Sequence, residues 1–164
     1  MVWRIALVIL AGCLGAMGQT NVTSFTVTPT ALNFAAIDPD TGGPAAQSST
    51  AVARLTSAWL RPWNLYVQSE TPTLTNCGSI PASALIVRCQ TATITSLFNL
   101  GSATCNSSSI PVSTTQATVA GGTQGIFGNT ITVNFQVSFA DSWRYRAALA
   151  PACTVSLRYT VDAP

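Results

Sequence analysis

The sequence contains no histidine and no lysine, and it has a single glutamate among its five acidic residues. General acid–base and nucleophilic catalysis depend mostly on histidine, lysine or an activated cysteine. The absences exclude a Ser-His-Asp triad, a Cys-His pair and a Ser-Lys dyad. A glycosidase-like pair of carboxylates is the route that remains, and the acidic residues show no spacing that marks such a cleft. The sequence therefore predicts a protein that is not an enzyme and that uses no cofactor.

Charge of either sign is scarce, at 7% of the 164 residues. Without Arg4, which lies in a predicted signal peptide, six arginines face five acids and the net charge is about +1. A balance this small, with no basic stripe, does not favour binding to nucleic acid or to an anionic membrane. Apolar residues reach 48%, which is typical of a folded domain and not of a disordered chain.

The N-terminus is typical of an export signal of a bacterial protein. Arg4 precedes an apolar run from Ile5 to Met17, which is too short to span a bilayer, and no later segment is long enough to do so. Small residues at 16 and 18 favour cleavage before Gln19, giving a signal peptide over residues 1–18 and one domain over 19–164. The string LAGC also resembles a lipobox, which would leave a lipid anchor on Cys13. Both routes predict an exported protein, secreted or held at the cell surface.

Four cysteines remain after either kind of processing: Cys77, Cys89, Cys105 and Cys153. An even number in an exported chain predicts two disulfides, and the spacing leaves all three pairings open. With no CxxC motif and no histidine, the cysteines do not indicate a zinc site.

Alternation of apolar and polar residues dominates the rest of the chain. NTITVNFQVSF, CTVSLRYTVD and WNLYVQS are the clearest segments, and several weaker ones lie between turn-rich separators. No segment carries a sustained helical period. The pattern predicts an all-β fold, an antiparallel two-sheet β-sandwich of Ig-like or Greek-key type with about seven to nine strands and little or no helix.

Two loop features are candidates for ligand binding. Asp38 and Asp40 share one turn and form a fragment of a calcium loop, although the same residues suit an ordinary Asx/Pro/Gly turn. The second candidate is a group of aromatic and arginine residues at loop edges that could stack on sugars and donate hydrogen bonds. Its members are Trp59, Arg61, Trp143, Arg144 and Tyr145. Trp63 has the same chemistry, but it is in phase with Leu65 and Val67, which predicts a core residue.

Three segments resemble the WxL-type domains of bacterial surface proteins. Trp63-Asn64-Leu65 matches the Trp-x-Leu motif, and TPTALNFAAI is similar to the first strand of those domains. The closing CTVSLRYTVDAP resembles their last strand, with Tyr159-Thr160-Val161 where the family has a second Trp-x-Leu. The resemblance covers residues 26–164. It implies an all-β, non-catalytic domain attached non-covalently to the cell wall, with Trp63, Leu65, Tyr159 and Val161 as motif residues. The phase of these residues in the alternating segments predicts that they lie in the core.

These observations predict a secreted or surface-associated, non-catalytic β-sandwich that binds cell-wall polysaccharide, peptidoglycan, matrix polymer or other surface proteins. Two alternatives remain open. One is a pilus or fibre subunit that assembles by strand addition, with residues 21–28 as the donated strand. The other is a small envelope lipoprotein anchored at Cys13.

Overall fold

The computed structural model describes the backbone of residues 4–10 and residues 21–35, 45–56, 60–140 and 153–164. Its strands, numbered in chain order, are β1 (Arg4–Leu10), β2 (Val22–Thr28), β3 (Ala31–Ala35), β4 (Gln47–Leu55), β5 (Pro62–Ser69), β6 (Thr73–Leu74), β7 (Cys77–Pro81), β8 (Leu85–Thr95), β9 (Ser102–Cys105), β10 (Ile110–Pro111), β11 (Ala117–Thr123), β12 (Asn129–Phe139) and β13 (Val155–Asp162). Within these ranges the helical segments are two three-residue 3-10 turns, Ala82–Ala84 and Leu97–Asn99. No described helix is long and apolar enough to cross a bilayer.

Two sheets face each other, which confirms the predicted β-sandwich. One has six strands in the order β3-β1-β13-β5-β11-β9, and the other has five in the order β10-β8-β12-β4-β2. A further pair, β6-β7, lies beside them, so the described strands outnumber the predicted seven to nine. The extra strands are short segments inside stretches that the sequence marks as turns. Pairing is antiparallel except between β1 and β13, which run in parallel.

The alternating segments form the strands that bury one face each. In β12 the side chains of Ile131, Val133, Phe135 and Val137 are buried and their neighbours are more exposed. The Phe135 ring packs against Tyr159 of the opposite sheet, with 5.0 Å between ring centroids. The core therefore lies between the sheets, as a period of two requires.

Residues 4–10, which the sequence assigns to the signal peptide, form a strand of the same sheet as the domain. β1 lies between β3 and β13. This is the arrangement of the unprocessed chain, and cleavage of the signal stays a prediction. The segment predicted as a donated strand is paired within its own chain, since β2 forms a ladder with β4 from Val22 to Thr28. That pairing argues against donation of this segment.

Candidate binding surface

The residues predicted to bind a ligand are only partly within the described ranges. Arg61 is exposed at the start of β5. Trp59, Trp143, Arg144 and Tyr145 lie outside the described residues, as do Asp38 and Asp40 of the calcium candidate. Among the described residues, no group of three His, Cys, Asp or Glu side chains could hold a metal ion.

The residues of the Trp-x-Leu resemblance lie in the core. Trp63, Leu65 and Tyr159 are at most 1% exposed, and Val161 is partly buried against the same cluster. The indole nitrogen of Trp63 donates a hydrogen bond to the carbonyl oxygen of Ser102 at 3.0 Å. A buried indole with its one donor satisfied by the backbone is a packing residue and offers no surface to a sugar.

Tyr159 is a buried phenol against the other sheet. Among the described residues its hydroxyl has no hydrogen-bond partner. Burial raises the pKa of Tyr159 far above its ordinary value of 10.0. The charged form is disfavoured because phenolate loses its hydration in the core. The group therefore stays neutral in the folded protein at any physiological pH.

The structure resolves the cysteine pairing that the sequence left open. Cys77 is bonded to Cys153, and Cys89 is bonded to Cys105. The first bridge ties the β6-β7 pair to the segment leading into β13. The second joins β8 of the five-stranded sheet to β9 of the six-stranded sheet, so both bridges cross between separate elements.

Three loops meet at one end of the sandwich, and we call residues 60–61, 96–101 and 124–128 the loop end. The backbone amide of Gln124 donates to the carbonyl of Arg61 at 2.7 Å. The Gln124 side chain, which is fully buried, donates to the carbonyl of Pro62 at 3.3 Å. Asn129 accepts from the Gly125 amide at 2.8 Å through its side-chain oxygen. A network of buried amides therefore fixes these loops.

The second and third loops touch through glycine. A side chain on Gly101 would collide with the backbone of Thr123 and Gly125, and its φ of +108° favours glycine as well. Gly125 packs as closely against the carbonyl of Leu100. Close backbone approach requires residues without a Cβ at both positions, which holds the two loops in contact.

The loop end carries every large apolar side chain that is well exposed in the described part of the chain. These are Leu60 (55% exposed), Leu97 (57%), Phe98 (71%), Leu100 (39%) and Phe127 (52%). Single exposed apolar residues are ordinary on a protein surface, whereas a group of five on neighbouring loops is a candidate interaction site.

Backbone strain is concentrated at the same place. Leu60, Phe98, Asn99 and Phe127 have φ between +49° and +69°, and among described residues other than glycine only Asn76 shares this feature. Asparagine tolerates this region, but bulky side chains pay about 1–3 kcal/mol each. The strained residues that are bulky, Leu60, Phe98 and Phe127, are thus also among the exposed apolar residues of the loop end.

Asn21 and the C-terminal residues also lie there. The amide of Asn21 donates to the carbonyl of Ala163, and the carbonyl of Asn21 accepts from Thr56. The Gln124 side chain approaches the carbonyl of Pro164 at 3.5 Å. The start of β2 and the end of the chain are therefore held together at the loop end.

The opposite end, which we call the disulfide end, consists of residues 70–77, 82–84, 112–116 and 153–154. It holds the Cys77–Cys153 bridge and a partly exposed ion pair between Arg158 and Glu70, with 3.2 Å between nitrogen and oxygen. Its exposed side chains are mostly short hydroxyl residues, such as Thr71, Ser83 and Thr114.

The sequence predicts one residue of the loop end, Arg61, as a binding candidate and does not predict the apolar ones. Phe98, Leu100 and Phe127 lie in stretches that the sequence marks as turn separators. A usable signal was present, because bulky apolar residues beside Asn and Gly in a turn are hard to bury.

Comparison with known proteins adds no relative. No protein-family model matches the chain, and no curated protein sequence matches it.

Proposed function

We propose that this chain is an exported, surface-associated and non-catalytic β-sandwich that binds other surface proteins through its loop end. The observation that carries the proposal is the cluster of five exposed apolar side chains on three interlocked loops. A protein partner would remove these side chains from water, and about 25 cal/mol is gained for each Å² of apolar surface buried.

The composition of the loop end favours a protein partner over a polysaccharide. Sugar recognition relies on Trp or Tyr rings flanked by hydrogen-bonding groups. The described loop end presents leucine and phenylalanine, and Arg61 is its one charged residue. Phenylalanine is enriched in protein–protein interfaces relative to the rest of the protein surface.

The extracellular setting rests on separate support. Two disulfides are typical of proteins that fold in an oxidising compartment, and the N-terminus has the pattern of an export signal. The absence of histidine and lysine supports a non-catalytic role. A WxL-like relationship is part of the same proposal, and it rests on the short motifs around Trp63 and Tyr159.

Site-directed photo-crosslinking in the native host tests the binding surface. We expect a photoreactive phenylalanine analogue at Phe98 to form discrete adducts with protein partners. The matched control carries the analogue at Thr114, an exposed residue of the disulfide end, and should form none. Equal labelling at both positions, or no protein adduct from Phe98 and Phe127 alike, would contradict the proposal. Retention on cell-wall polysaccharide that Phe98→Ser abolishes would instead favour a polymer ligand.

Mass spectrometry of the processed N-terminus tests the export part. A chain that begins at Gln19, or an acylated Cys13, supports export and separates the secreted form from the lipoprotein. A chain that retains Met1 or Val2 in cells grown normally would contradict it.

A further inference from the structure

The strand formed by residues 4–10 occupies an inner position in the six-stranded sheet. Residues 7–10 of β1 pair in parallel with residues 155–158 of β13. Along its other edge, β1 pairs antiparallel with β3, from Arg4 opposite Ala35 to Val8 opposite Ala31. β1 therefore connects β3 to the rest of this sheet.

Both predicted routes of export processing remove this strand. Cleavage before Gln19 and lipobox cleavage before Cys13 each lie after Leu10 in the sequence. The processed protein is then one strand short in the middle of a sheet, whichever route operates.

Loss of β1 leaves two strand edges without their partner. β13 keeps its ladder with β5 on one side, but residues 155–158 lose the ladder on the other. In the described part of the chain, β1 is the strand that pairs with β3 in this sheet. Unpaired backbone groups beside a core are costly, and an open edge is a template for another strand.

The processed chain has too little of its own N-terminus to refill the position when cleavage occurs before Gln19. Only Gln19 and Thr20 then precede Asn21, which is held by hydrogen bonds to Ala163 and Thr56. Two extended residues span about 7 Å, whereas β1 uses seven residues. The next segment, β2, is already paired with β4.

We propose that the processed protein accepts a strand from another protein in the position between β3 and β13. The occupant is a mainly aliphatic segment of about seven residues, like β1 (RIALVIL), and it runs parallel to β13. Backbone ladders on both sides supply the affinity, as in other cases of strand addition. This position is on a sheet and not at the loop end, so the inference rests on the export part of the proposed function and not on binding at the loop end.

A peptide with the sequence of residues 4–10 and a short lysine tail is the probe. It is added to the processed protein, purified after export from its host. We expect one peptide to bind per chain. Exchange should slow by at least about tenfold for those amides of residues 31–35 and 155–158 that face the vacant position. The control peptide has proline in place of Leu7 and Ile9, which removes two ladder donors, and should not bind.

Refolding provides a second readout if the processed protein aggregates on its own. Recovery of soluble monomer should rise with the native peptide and not with the proline peptide. Strong exchange protection, without any peptide, of those amides of residues 155–158 that face away from β5 would overturn the inference, because the sheet would have closed by itself. Equal effects of both peptides would overturn it as well.

Discussion

The two ends of this sandwich differ in how their loops are held together and in which side chains they expose. The disulfide end is covalently closed by Cys77–Cys153 and exposes short hydroxyl side chains such as Thr114. The loop end is closed by hydrogen bonds of buried amides, and it exposes strained leucine and phenylalanine residues. One end is therefore stabilised by a covalent bond, whereas the other adopts strained backbone conformations and exposes an apolar surface.

Removal of the disulfides should have the largest effect. The Cys77–Cys153 bridge closes a loop with a sequence separation of 76, against 16 for Cys89–Cys105. The chain-entropy relation then predicts losses of about 4.5 and about 3 kcal/mol for the paired serine variants. Urea unfolding of both variants measures the difference. A smaller loss for Cys77→Ser/Cys153→Ser than for the other pair would contradict the stabilising role of the disulfide end.

Substitution of two aromatic residues should distinguish a core side chain from an exposed side chain of the loop end. Trp63→Ala should cost about 3–5 kcal/mol because it empties a fully buried site and frees the Ser102 carbonyl. Phe98→Ala should change stability by no more than about 0.5 kcal/mol, since its side chain is 71% exposed. Chemical denaturation gives both changes in the free energy of unfolding. Comparable losses for the two variants would contradict the assignment of Trp63 to the core and of Phe98 to the exposed surface.

Two glycines of the loop end form a matched pair. Gly101→Ala should destabilise the protein by about 1–3 kcal/mol, because the new Cβ meets the backbone of Thr123 and Gly125. Gly128→Ala should have a smaller effect. Its φ of +21° also disfavours a side chain, but nothing lies within 4 Å of a Cβ built there. Thermal unfolding compares the two, and equal shifts would show that contact between the second and third loops contributes little.

Tyr159→Phe should have the smallest effect at neutral pH, because the lost hydroxyl has no partner among the described residues. The pKa of Tyr159 is raised in the folded state, so only the unfolded chain releases this proton above pH 10. Stability of the wild type should therefore fall by about 1.4 kcal/mol per pH unit above that point relative to the variant. Parallel unfolding curves at pH 8 and pH 11 check this, and an unchanged difference between the proteins would contradict it.

The sequence predicts the strands that alternate over long stretches and misses the short ones. β5, β12 and β13 follow directly from side chains with a period of two. β6, β7 and β10 lie within turn-rich separators, where pairing partners far away in sequence decide whether a few residues become a strand. The cysteine pairing cannot be predicted from the sequence either, because it depends on which segments the folded structure brings close together.

The core residues of the candidate motif were easier to predict than the binding surface. Trp63 follows from its phase within one strand. The exposure of Leu97, Phe98 and Phe127 depends on three loops, distant in sequence, meeting around Gln124. Local sequence patterns do not show which distant loops are neighbours in the fold. The cluster of exposed apolar residues can therefore be identified only from the three-dimensional structure.

Retention at the cell surface tests the central difference between the ends most directly. The double variant Phe98→Ser/Phe127→Ser is compared with Ser83→Ala/Thr114→Ala at the disulfide end, and both are measured for unfolding free energy and for the fraction bound to intact cells. We predict that the loop-end variant keeps its stability within about 1 kcal/mol and is lost from the cell surface, while the control is retained like the wild type. Retention of the loop-end variant at the wild-type level would contradict the account.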